Sequence, residues 1–171
     1  MKLKSYILLS LFILVTVLAC SKDDSTRGTT FKVKLTDAPF NAQQVNVDIK
    51  EVRVNFANDT LPWTTLQTNA RVYNLLTLQN GVDTLLATST VPAGTVKQIR
   101  FILGTNNTIM IDSVVYPLSV AGGDEGGLKI NLDKKLRAGI DSVLIDFDAA
   151  LSVIKTGNGK YKLKPVLKLK K

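Results

Sequence analysis

Histidine is absent from this 171-residue chain, and cysteine occurs only once, at Cys20. The first absence removes imidazole acid–base chemistry and, with so little thiol, most zinc sites. The second rules out a disulfide within the chain, so stability must come from packing. No Gly-x-Ser-x-Gly elbow and no phosphate loop occurs, which leaves no nucleophilic or nucleotide signature. Tryptophan also occurs once, at Trp63. No apolar run is long enough to span a bilayer, which takes about 20 residues. There is no internal repeat and no long helical period. Catalysis is therefore not expected.

What is present starts at the N-terminus. Lys2 and Lys4 precede the apolar run Tyr6 to Ala19, which ends in Val17-Leu18-Ala19-Cys20. Positive start, short apolar run and small residue are the three parts of a secretory signal. With the cysteine they read as a lipoprotein signal peptide over residues 1–19, and Cys20 becomes the acylated first residue. Residues 20–30 then form the lipidated cysteine and a polar, flexible tether. Residues 31–171 form one domain. Loss of Lys2 and Lys4 takes 22 basic residues to 20 against 14 acidic, a net +6. Export and the lack of any nucleic-acid motif exclude nucleic acid as the partner. A basic surface suits anionic lipid headgroups or acidic polysaccharides, or is simply a solvated surface.

Strand signals dominate the domain. Phe31 to Leu35 alternates apolar and charged residues, as a half-buried strand does. Thr36 to Pro39 turns the chain. Val45, Val47 and Ile49 hold odd positions, whereas Val52, Val54 and Phe56 hold even ones. The parity flips near Lys50-Glu51, which a β-bulge explains economically; two strands with a break are the rival. Asn58 to Pro62 is a turn, Trp63 to Leu66 a short strand, and Val72 to Leu78 holds a helical turn ending at Asn80-Gly81. Val91-Pro92-Ala93-Gly94 turns into a strand over Val96 to Leu103. Thr108 to Pro117 forms a hairpin around Asp112-Ser113. Leu128 to Leu132 and Ile140 to Phe147 are strands, with a glycine-rich loop, Gly122 to Gly127, before them. Gly157-Asn158-Gly159 closes a hairpin whose second arm runs from Tyr161 to Leu169. Short strands at regular spacing predict an all-β fold, a single β-sandwich of immunoglobulin-like kind.

Two groups of side chains carry candidate chemistry. Asp146 and Asp148 lie two apart, so on a strand their carboxylates share one face. With Asp37, or with Asp124 and Glu125, they offer hard oxygen ligands to calcium; otherwise they meet lysines or cap turns, and no cofactor is expected. Trp63 either stacks on a sugar ring or wedges at a core edge. Alternating lysines in the last strand read as a solvated face guarding a sheet edge.

Several stretches together resemble a bacterial lipoprotein family known as domain of unknown function 4382. They are Leu35-Thr36-Asp37-Ala38-Pro39, Val45 to Val52, Asn74 to Gly81, Val91-Pro92-Ala93-Gly94 and Gln98-Ile99-Arg100. Gly127-Leu128-Lys129-Ile130, Asp146-Phe147-Asp148 and Leu163-Lys164-Pro165-Val166 complete them. The family has no assigned activity, so the resemblance implies no functional residue. The Val-Pro-Ala-Gly turn is also similar to transthyretin-like carboxypeptidase regulatory and starch-binding-like modules. Ser21-Lys22-Asp23-Asp24 resembles the acidic export signal of surface lipoproteins of the Bacteroidota, which implies the outer membrane and its surface. The expected role is a lipid-anchored, non-catalytic binding or accessory module of the cell envelope, for polysaccharide or envelope proteins. A structural envelope protein without a small ligand, and a carboxylate-based glycan hydrolase, are the alternatives.

Overall fold

The computed structural model describes residues 28–56, 62–120 and 127–170. They form two facing β-sheets, the all-β sandwich that the strand signals predicted. The smaller sheet has the order β14 (Leu167–Lys170), β11 (Gly139–Phe147), β1 (Thr29–Thr36), β6 (Thr84–Val91) and β4 (Gln67–Thr68). The larger has β10 (Leu128–Lys135), β7 (Thr95–Leu103), β2 (Gln44–Phe56), β8 (Thr108–Ile111), β9 (Val114–Val120), β13 (Tyr161–Leu163) and β12 (Val153–Lys155). β3 (Thr64–Thr65) and β5 (Arg71–Asn74) add to the other edge of β2.

Alternation in each strand dictates which side chains meet between the sheets. Phe31, Val33 and Leu35 of β1 are fully buried, as are Ile145 and Phe147 of β11. From the larger sheet come Val47, Ile49, Val52 and Val54 of β2, with Ile99 and Phe101 of β7. Each such side chain contributes about 1.5–3 kcal/mol by leaving water. The parity flip in β2 is a bulge: its register with β7 shifts between Ile49 and Glu51, leaving Lys50 exposed. One extra residue is what lets both apolar sets face the same core.

The helical turn falls at Leu75–Leu78, capped by the Asn74 side chain on the Leu76 N–H. The β8–β9 hairpin turns at Asp112 and Ser113, both with positive φ (50° and 63°), as a two-residue hairpin turn of this twist requires.

Two expectations need correction. β1 starts at Thr29, whose side chain is buried, so the sheet includes two residues assigned to the tether. The arm from Tyr161 to Leu169 is not one strand. Pro165, which has no N–H for a ladder, interrupts it. The chain crosses from the larger sheet to the smaller there, held by Lys164 N–H to Ser152 O (2.8 Å) and Val166 N–H to Ser152 Oγ (2.8 Å). β14 then forms an edge of the smaller sheet, with Lys168 and Lys170 exposed as expected of a guarded edge. β6 is a strand that the sequence did not mark: turns bound it, but its adjacent Leu86 and Ala87 are both buried, which breaks the alternation.

Candidate functional site

The structure brings three of the predicted acids to one corner, where β1 and β11 end. Asp37 follows β1 and Asp148 follows β11. Asp148 caps the short helical turn Ala149–Ser152, accepting from the Leu151 N–H at 3.0 Å. Its other oxygen meets Lys168 Nζ at 2.7 Å. Burial works against ionisation of Asp148, but Lys168 and the Leu151 amide outweigh it and hold the carboxyl below its usual range. Asp146 pairs across the sheet with Lys168. Burial raises its pKa, Lys170 lowers it and the neighbouring Asp148 raises it again. Asp148 thus meets Lys168 and a turn amide, whereas Asp146 keeps one buried carboxylate oxygen with no hydrogen-bond partner among the described residues. Among the described residues no three His, Cys, Asp or Glu side chains stand close enough to hold a metal ion. Asp124 and Glu125, like Cys20, lie outside the described residues.

Asp37 is the unusual member of the corner. It is 1% exposed. One oxygen accepts from the Ala149 N–H at 2.9 Å, the other from Gln79 Nε2 at 3.2 Å. These two bonds do not offset burial, which pushes its pKa up to about 6, with Asp146 adding repulsion. A buried acid with a raised pKa binds its proton more tightly in the native state than in the unfolded chain. Its charge therefore costs stability progressively as pH rises from about 4 through about 6. Asp37→Asn keeps an acceptor for Ala149 and has nothing to titrate. Its stability relative to the wild type is expected to rise by about 2 kcal/mol between pH 4 and pH 7. Urea melts at the two pH values measure this; parallel profiles would show that Asp37 ionises normally.

Trp63 neither enters the core nor lies open. The Arg100 guanidinium covers its ring at 4.1 Å on the outer face of the larger sheet. Arg100 stands beside Arg53, which Glu51 neutralises at 2.6 Å. The tryptophan is a cation–π partner of the protein's own arginine.

A concavity among the described residues lies elsewhere. β9 and β13 run parallel, with Leu118 beside Tyr161 and Ser119 beside Lys162. This pairing sets the rings of Tyr116 and Tyr161 5.1 Å apart, tilted by 57°. They line a half-open cleft of about 520 Å³ with Pro117, Thr105, Thr156, Lys160 and Lys162. The turn that presents Lys160 is held by its carbonyl, which accepts from both the N–H and the hydroxyl of Thr156 (2.8 and 3.0 Å). Neither Lys160 nor Lys162 has an acid partner among the described residues.

A smaller hollow of about 190 Å³ adjoins it and shares Thr105, Leu118 and Ser119. Its rim is the loop between β7 and β8, which closes over buried Asp48. Asn107 Oδ1 accepts from the Asp48 N–H at 2.8 Å, and the Asp48 carbonyl accepts from the Gly104 N–H at 2.8 Å. A side chain at Gly104 would strike the Asp48 carboxylate at 2.1 Å, so only glycine allows this closure. Asp48 also pairs with Lys50 at 2.9 Å; it is close in space but poorly aligned for a hydrogen bond.

Neither tyrosine was singled out in the sequence. Their 45-residue separation gives no local signal, and only the non-local β9–β13 pairing joins them.

The described residues therefore define an all-β sandwich with a tyrosine- and lysine-lined cleft on the edge of its larger sheet. Residues 28–165 match the family described as domain of unknown function DUF4382, and the chain belongs to that family. The family resemblance of the sequence is thereby borne out. No curated protein and no solved structure matches the chain.

Proposed function

We propose that this protein is a lipid-anchored, non-catalytic binding module of the cell envelope, held at the outer membrane through Cys20, and that the Tyr116–Tyr161 cleft receives an acidic polysaccharide. The cleft is the observation that carries the reading. Tyr116, Pro117 and Tyr161 supply an apolar wall suited to a sugar ring. Thr105 and Thr156 supply hydroxyls, and Lys160 and Lys162 supply unpaired positive charge. A ring with one apolar face and a carboxylate or phosphate substituent satisfies all three. The absence of histidine and the engagement of Asp37 and Asp148 by amides and Lys168 support a binding role over hydrolysis. The likeness of the Val91–Gly94 turn to transthyretin-like binding modules points the same way.

A glycan array probed with the purified protein, with calcium and with chelator, tests it. Acidic glycans are expected to be retained over neutral ones in both conditions. Tyr116→Ala and Lys160→Glu are each expected to weaken retention about tenfold, equivalent to about 1.4 kcal/mol. Retention that needs calcium would point instead to the carboxylates. No retention, or retention unchanged in both variants, would remove the cleft from the reading.

A further inference from the structure

The chain comes into the sandwich at one end, where Thr29 opens β1. Thr29 sits beside Val91 and Gly139, so the first residue of β1 is flanked by two turns. One joins β6 to β7 through Pro92–Gly94; the other joins β10 to β11 through Leu136–Ala138. They are stapled together, because the Leu136 N–H donates to Gly94 O at 2.9 Å and the Thr29 hydroxyl donates to Arg137 O at 3.1 Å. Asp141, 8% exposed, accepts from the Arg137 N–H at 2.8 Å and pairs with Lys134 at 2.9 Å. Burial opposes its charge, yet these donors hold it ionised below its usual range.

The polar backbone and the nearby acid are therefore turned inward. Among the described residues, what faces solvent there is apolar and basic. Pro92, Ala93 and Ala138 are exposed, and Ile140 is 67% exposed, more than any other large apolar side chain among the described residues. Lys135 and Arg137, at and just after the end of β10, are exposed and without an acid partner among the described residues. The exposed acid of β10, Asp133, is already paired with Lys97 at 2.8 Å.

Eight residues, nine residue steps, separate Cys20 from Thr29. Fully extended they reach about 30 Å at most. A lipid on Cys20 thus keeps this end within that distance of the bilayer. The opposite end lies a further strand length away, about 25 Å for the eight residues of β1.

We infer that this end of the sandwich seats on an anionic phospholipid surface. Ile140 and the proline–alanine turn enter the interfacial zone, and Lys135 and Arg137 meet headgroup phosphates. The inference rests on the lipid-anchor reading above. It places the Tyr116–Tyr161 cleft, built on the far side of the β8–β9 and β12–β13 hairpins, away from the membrane.

The test uses the processed, lipidated protein reconstituted into vesicles of phosphatidylglycerol or of phosphatidylcholine. Amide hydrogen exchange is followed at 135–140 and 92–95, with the turn at Gly157–Gly159 as reference. Exchange in the first two segments is expected to slow at least about fivefold in phosphatidylglycerol relative to phosphatidylcholine. The reference turn should not change, and the Lys135→Glu/Arg137→Glu variant should lose the protection. Equal exchange in both lipids overturns the inference. So does protection that survives in the double variant or spreads to the reference turn. A protein that floats with the vesicles but shows no protection leaves the anchor standing and removes only this surface. A protein that does not float with either vesicle overturns the anchor and this inference together.

Discussion

Cys20→Ala is expected to take up no labelled fatty acid when the cells are fed it, while the wild type is strongly marked. The effect is all or none because the thiol at this position is the sole one in the chain. It is also the largest functional effect expected of any single substitution. A single buried acyl chain of 14 carbons holds a protein only marginally, each methylene adding about 0.8 kcal/mol. Several chains on one cysteine exceed that and make the attachment stable. The variant should therefore also leave the membrane fraction unless its uncleaved apolar run, Tyr6 to Ala19, holds it there. The size of the band separates these outcomes, since cleavage before residue 20 removes about a ninth of the chain. Equal labelling of wild type and variant would sink the lipoprotein reading. It would leave the sandwich and its cleft untouched.

The largest effect on stability is expected at Phe147→Ala. Phe147 is fully buried, closes β11 and is followed directly by Asp148 and Ala149, which bind Lys168 and Asp37. Truncating a buried phenylalanine costs about 3–5 kcal/mol from lost transfer energy and the cavity left behind. In a domain of this size that lowers the melting temperature by on the order of 10 °C. Ile140→Ala, in the same strand but 67% exposed, should change stability by no more than about 0.5 kcal/mol. Thermal melts of the three proteins decide it. A Phe147→Ala protein that melts with the wild type would mean that this part of the core is loosely packed. Because Ile140→Ala is expected to fold normally, it also separates loss of membrane seating from loss of fold.

Much of the architecture was legible because period two is a local property. The parity flip at Lys50 pointed to the bulge in β2, since one added residue returns both apolar sets to the buried face without breaking the strand. Asp112-Ser113 announced its hairpin, and Val72 to Leu78 announced a helical turn, which falls at Leu75–Leu78. The sequence places Asp146 and Asp148 on one face with Asp37 as a third acid, either for a cation or to meet lysines and turn caps; in the structure Asp148 meets Lys168 and the Leu151 amide, Asp37 meets Gln79 and the Ala149 amide, and one Asp146 oxygen has no hydrogen-bond partner among the described residues. Trp63 was weighed between sugar and core; the structure gives it Arg100 instead, a partner on another strand that no spacing rule links to it.

The sequence by itself determined that this chain is all β, where most strands turn, which faces are apolar, and that its lone cysteine follows a short apolar run. These properties are written in neighbouring residues and in alternation. The tertiary structure alone decided that β9 lies parallel to β13, that Pro165 sends the chain to the other sheet, and that Asp37 is buried with its proton held to about pH 6. It alone decided that Ile140, Lys135 and Arg137 surround the point where the chain comes in. The reason is common to all four. Pairing between strands far apart in sequence is selected by the packing of the whole core, and desolvation of a carboxyl depends on what the rest of the chain lays over it.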